Sequence, residues 1–105
     1  MNHEEAFTLK SGTNKGNRRI WIEGARLLRA GINRGVKFSR TLEGDVMRLR
    51  FDGEGRHTVA GSNDRPIVDL NGKYLNDFFG ECAGFTATFF PAIENQPPRI
   101  DIVAV

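Results

Sequence analysis

Residues 20–38, IWIEGARLLRAGINRGVKF, decide how the chain is read. Ile20 and Ile22 alternate with Trp21 and Glu23, the period of a half-buried strand. GARLLRAG (24–31) cannot continue that alternation. Leu27 and Leu28, flanked by Arg26 and Arg29, suit one or two helical turns, stopped by Gly31 as a left-handed cap. Val36 and Phe38 then open a new strand. LEGD (42–45) reads as a turn, and the following strand places Met47, Leu49 and Phe51 on one face of a hairpin.

The same programme returns in PIVDLNGKYLNDFFGECAGFTATFF (66–90). A shift of 48 aligns Ile20, Ile22, Gly24 and Leu27 with Val68, Leu70, Gly72 and Leu75. After one inserted residue, Gly31, Gly35 and Val36 align with Gly80, Gly84 and Phe85. The closing strand, with Ile100 and Ile102 on one face, answers the strand that begins at Val46. The turn before it, AIENQPP, is longer and carries prolines, and HTVAG (57–61) reads as a short strand joining the halves. Two copies are too few to stack as a solenoid, and neither half could bury its apolar face alone. The expected fold is therefore mainly β with short helices: a β-barrel built from two internal repeats, 19–52 and 66–105, joined by 53–65. Structural roles account for the paired glycines: Gly24 and Gly72 where strand turns to helix, Gly31 and Gly80 at helix ends, Gly35 and Gly84 where a strand starts close to its neighbour. Residues 1–17 lack an apolar period and read as a flexible basic arm ahead of the single domain 18–105.

The chain has 105 residues, enough for one domain with its own core. It has no apolar run approaching the ~18–20 residues of a bilayer span and no apolar leader, so no membrane partner and a cytoplasmic location are expected. A lone cysteine, Cys82, fits the same compartment and reads as an inert thiol. His3 and His57 have no companion ligands at metal spacing, so no metal or cofactor is expected. Asp64, Asp69, Asp77 and Glu81 are dispersed, and no nucleophile–base pair stands out, so the chain reads as a non-enzyme.

The formal charge is only +2, but it is unevenly placed. Residues 1–57 hold twelve Lys and Arg against seven Asp and Glu; residues 58–105 hold three against six. Between Lys10 and Arg40 nine basic residues face one acid, Glu23. Such a block attracts polyanions over long range. The candidate nucleic-acid contacts are Lys15, Arg18, Arg19, Arg26, Arg29, Arg34, Lys37 and Arg40, because arginine forks suit phosphates and guanine edges. Trp21 offers either a stacking platform for a base or a cover over one end of the barrel or over the repeat interface. Arg26 could instead pair with Glu23, and Arg48 and Arg50 are expected on the hairpin's outer face opposite Lys37 and Arg40.

IxIxGxxLxxAGIxxGxxF, residues 20–38, resembles the SymE-like branch of the AbrB/MazE/SpoVT superfamily. That resemblance covers 19–51 well and 66–105 loosely. It implies a swapped-hairpin β-barrel, with one chain supplying both copies as an intramolecular pseudo-dimer that could dimerise further. It also implies DNA binding by a basic face, with RNA as the ligand of a SymE-like toxin. KGNRRIWIEGARLLRAG with IVDLNGKYL is also similar to a region preceding the catalytic part of some prokaryotic DNA cytosine methyltransferases, although the Pro-Cys nucleophile of that chemistry is absent. The second copy lacks the cations: Tyr74, Asp77 and Ala83 stand where the first has Arg26, Arg29 and Arg34. The rival reading is a small phage- or mobile-element-encoded inhibitor that binds a host protein.

Overall fold

The computed structural model describes residues 4–105. His3 lies outside them. The elements run β1 (Glu5–Lys10), β2 (Gly12–Asn14), β3 (Asn17–Glu23), α1 (Ala25–Arg29), β4 (Lys37–Glu43), β5 (Val46–Arg50), β6 (His57–Thr58), β7 (Ala60–Gly61), β8 (Pro66–Asn71), α2 (Lys73–Phe79), β9 (Gly84–Phe90) and β10 (Arg99–Ala104). The protein is mainly β, as the alternating stretches require.

The strands form two antiparallel sheets rather than the single closed barrel expected from the sequence. A six-stranded sheet has the order β1-β9-β10-β5-β4-β6, and a four-stranded sheet has the order β2-β3-β8-β7. The ladder is interrupted where the chain passes from one sheet to the other. At Ser11 it leaves β1, paired with β9, for β2, paired with β3; at Val59 it leaves β6, paired with β4, for β7, paired with β8. Corners of this kind let two sheets face each other across a common core.

The apolar alternation points where the sequence placed it. Ile20 and Ile22 of β3 face Leu70 and Val68 of β8 in register, and all four are buried. Met47 and Leu49 of β5 lie opposite Ile102 and Ile100 of β10, again buried. Leu27 from α1 and Leu75 and Phe79 from α2 close the same core, with Phe38 and Phe85 among its largest fully buried side chains. No buried polar or charged residue interrupts it among the described residues.

The sequence reads residues 1–17 as a flexible arm, and the described part of that segment is instead largely strand. Glu5–Lys10 pairs residue for residue with Gly84–Phe89. The periodicity is present in hindsight: Phe7 and Leu9 pack against the core, and Phe7 meets the ring of Phe89 edge-on at 5.7 Å between centroids. Two apolar residues among polar neighbours are too short a pattern to separate an edge strand from a loop. Without β1, Phe85, Ala87 and Phe89 would line an unpaired edge.

The glycines divide by mechanism. Gly35 has φ 89° and open space around it, so its requirement is conformational rather than the close approach expected. Gly84 is the reverse: a Cβ there would stand 2.5 Å from the carbonyl oxygen of Leu9. Gly84→Ala should therefore push β1 away from β9. We expect a loss of about 2 kcal/mol or more in urea unfolding, with faster amide exchange at Phe7 to Leu9 than elsewhere in the sheet.

Candidate nucleic-acid interface

The arginines of the first half do not form one patch. Arg19 makes a two-pronged pair with Asp69, 2.8 and 2.9 Å, on the outer side of the four-stranded sheet, and its guanidinium lies 4.4 Å from the centre of the Trp21 ring. Trp21 is half-exposed there, opposite Asp69 on the β3–β8 seam between the halves, with one face already taken by Arg19. Arg18 turns toward α2: it donates to Ser11 Oγ and to the carbonyl of Cys82, and packs over Phe79 at 4.6 Å. Its backbone N–H donates to Asn76 Oδ1 at 2.8 Å. Arg26 rests on Phe7 at 4.0 Å instead of pairing with Glu23, and Arg29 makes a two-pronged pair with Glu5, 3.1 and 3.2 Å. Three sets of partners therefore hold these four guanidinium groups in three places.

The remaining members of the sequence-derived set have different surroundings. Lys15 occupies the turn between β2 and β3 with φ 53°, and Arg34 is exposed in the turn after α1. Lys37 begins β4 and is exposed. Arg40 shares the parity of buried Phe38, so it faces α2 and lies 3.6 Å from the centre of the Tyr74 ring. It is thus on the opposite side of β4 from Lys37, which corrects the expectation that both lie on the hairpin's outer face.

The registers place a second group of cations on the outward face of the six-stranded sheet. Arg99 lies opposite Phe90 on one side and Arg50 on the other; Arg50 lies opposite Ser39. In the adjoining row Asp101 lies between Thr88 and Arg48, and Arg48 is followed by Thr41. The next row runs Thr86, Val103, Val46, Glu43. Lys37 continues this face at the start of β4, opposite Thr58.

Charge on this face is partly neutralised. Arg48 makes a two-pronged pair with Asp101, 2.9 and 3.1 Å, and reaches Glu43 at 3.2 Å. Arg99 stacks on Phe90 at 3.9 Å; its Nε lies 3.4 Å from Asp101 Oδ1, close enough for attraction but not aligned as a hydrogen bond. Asp101 is thus shared by two arginines. Arg50 and Lys37 have no carboxylate partner among the described residues and are exposed. The hydroxyls of Ser39, Thr41, Thr86 and Thr88 stand between the charges. Sequence reasoning found Arg48, Arg50 and Lys37 but missed Arg99. The signal for it was the alternation with Ile100 and Ile102, which turns Arg99 outward.

Ser39, Arg40, Gly55, Arg56 and His57 line an open cleft of about 320 Å³ at the edge of β4. The His57 ring stacks on Phe38, 5.1 Å between centroids. Among the described residues no group of three or more His, Cys, Asp or Glu could hold a metal ion, and no helix is long and apolar enough to cross a membrane. No family model, curated protein or solved structure matches the chain.

Partial burial, and then the positive charge of Arg40, hold the His57 imidazole below its ordinary value of 6.5. The unfolded chain therefore binds a proton at a higher pH than the folded one. The neutral ring's contribution to stability is present above about pH 6.5 and is lost as pH falls toward the folded value. We expect an NMR titration of His57 to give a midpoint below 6.5, moving upward in Arg40→Gln. His57→Gln should flatten the dependence of stability on pH just below neutrality.

Proposed function

We propose that the protein is a non-enzymatic nucleic-acid-binding module whose ligand is double-stranded DNA, held through its phosphates on the outward face of the six-stranded sheet. The observation that carries this reading is the row Arg99, Arg50, Ser39 with Lys37 beside it: cations without saturating carboxylates, separated by hydroxyl donors, on one continuous face. Phosphate oxygens accept from guanidinium, ammonium and hydroxyl groups alike, and such contacts set affinity more than sequence choice. A six-stranded face is also too broad for a major groove, which admits one helix or a two-stranded ribbon. The face therefore tracks the backbone, while Lys15 and Arg34 add charge from turns outside it. Arg18, Arg19 and Arg29, engaged inside the molecule, are positioning groups of the fold in this reading.

The likeness to the AbrB and SymE group belongs to the same proposal. β3-α1-β4-β5 and β8-α2-β9-β10 repeat one order of elements. Exchanging the halves turns the β2–β3 pair into β7–β8, β1–β9 into β6–β4, and β4–β5 into β9–β10. These interchanges support an internal duplication with swapped hairpins, in which the first copy kept more of its cations.

Fluorescence anisotropy with duplex DNA, single-stranded DNA and RNA at two salt concentrations tests the ligand. Affinity for duplex should fall steeply with salt. Arg50→Glu combined with Lys37→Glu should weaken it by roughly ten-fold or more and reduce the salt slope by about 1 for each phosphate no longer neutralised. Arg34→Gln should have a smaller effect. Binding that ignores salt, or that survives the double reversal, sinks the proposal; preference for RNA reassigns the ligand to the SymE-like alternative.

A further inference from the structure

The edge of β4 is left open. β9, in the matching place of the second half, is covered along Gly84–Phe89 by β1, whereas β6 covers β4 only at Lys37 and Phe38. From Ser39 to Glu43 the side of β4 away from β5 has no strand partner among the described residues. The backbone alternation identifies the groups left over. The Val36 carbonyl accepts from Val59 N–H on the β6 side at 2.9 Å, and the Lys37 carbonyl accepts from Gly53 N–H on the β5 side at 3.0 Å. Even-numbered residues therefore direct N–H and C=O to the open edge, which leaves those of Arg40 and Leu42. Leu42 is 63% exposed, the most exposed large hydrophobic residue among those described.

The surroundings of this edge have a direction. At one end, Arg40, Arg56 and His57 line the cleft beside β6. At the other, Asp45 and Asp77 line a cleft of about 390 Å³ together with Leu42 and Phe78. An exposed edge with unpaired backbone groups is a template for another strand. One that is cationic at one end and acidic at the other is complementary to itself when run antiparallel. We propose that β4 pairs with β4 of a second copy, antiparallel about a two-fold axis at Thr41, to form a homodimer.

In this register Arg40 faces Leu42 of the partner subunit across a hydrogen-bonded pair. That parity uses the backbone groups the edge leaves free. Each Leu42 then covers the methylenes of the opposing Arg40. Each acidic end, at Asp45, meets the cleft at Arg56, beside the neutral ring of His57. β6 and the close approach of Gly55 to the backbone of Phe38 and Ser39 limit the paired stretch to Arg40–Leu42. The two six-stranded sheets become one continuous sheet across the axis, with Lys37 and Arg50 on its outward side.

Sedimentation velocity from low to high micromolar concentration tests the pairing, with circular dichroism to confirm that each variant is folded. The wild-type chain should pass from monomer to dimer, and amide exchange at Arg40 and Leu42 should slow as the dimer forms. Leu42→Lys should leave a folded monomer. Asp45→Arg and Arg56→Asp should each weaken association by roughly ten-fold, and the two together should restore most of it. A chain that stays monomeric throughout overturns the proposal, as does a dimer indifferent to all three positions. So does a monomer that captures an extended foreign peptide on this edge. Leu42, Asp45 and Arg56 are not among the cations assigned to nucleic acid, so failure here leaves that reading standing, and the reverse also holds.

Discussion

Two cross-half pairings, β3 with β8 and β5 with β10, hold the rest of the molecule in place. Each joins a strand of the first half to one of the second, and each lays down a buried double row: Ile20 and Ile22 on Leu70 and Val68, Met47 and Leu49 on Ile102 and Ile100. Neither half could be stable alone, since every one of these side chains would face water. Burying a single residue of this size is worth about 1.5–3 kcal/mol, so separating the halves would cost more than a small domain's whole margin of stability. The two short helices then need little helix propensity of their own. α1 has five residues and no side-chain cap, and is held by buried Leu27; tertiary packing stabilises helices too short to persist in water.

The same architecture redistributes the charge. Arg19 meets Asp69 and Arg48 meets Asp101 only because strands from opposite halves are neighbours. Both pairs join a cation of the first half to a carboxylate of the second, so the opposite imbalances of the two halves are partly cancelled at their junction. Hydrogen bonding to its carboxylate raises each guanidinium further above its ordinary value: Asp69 for Arg19, Asp101 for Arg48. Among the described residues, cations without a carboxylate partner include Arg50 and Lys37 on the outward face of the larger sheet and Arg34 in the turn after α1. Surface ion pairs of this kind contribute little to stability. Their effect is on which cations stay available.

Other arginines are held against aromatic rings, Arg26 and Arg40 without a carboxylate partner among the described residues and Arg99 with Asp101 beside it. Arg26 on Phe7, Arg40 on Tyr74 and Arg99 on Phe90 each place a guanidinium against a π-face while leaving N–H groups at its rim. Stacking fixes the plane of the fork without neutralising it. Tyr74, whose hydroxyl is pushed up chiefly by burial, keeps its ring neutral beneath Arg40.

Period-two alternation and glycine placement were enough to determine the strands β3, β5, β8 and β10, the two helical turns and the apolar faces, because those depend on neighbours a few residues away. Ile20, Leu27, Met47 and Ile100 are buried for reasons visible within one turn or one strand. The charge surplus of the first half was equally plain. Tertiary structure alone decided that Glu5–Lys10 is a strand, because its hydrogen-bond partners lie about eighty residues later in the chain. It also decided that the sheets part at Ser11 and Val59. Above all, it decided which arginines are engaged internally: the carboxylate facing Arg19 is fifty residues distant, and no local pattern carries a cross-strand register over that separation.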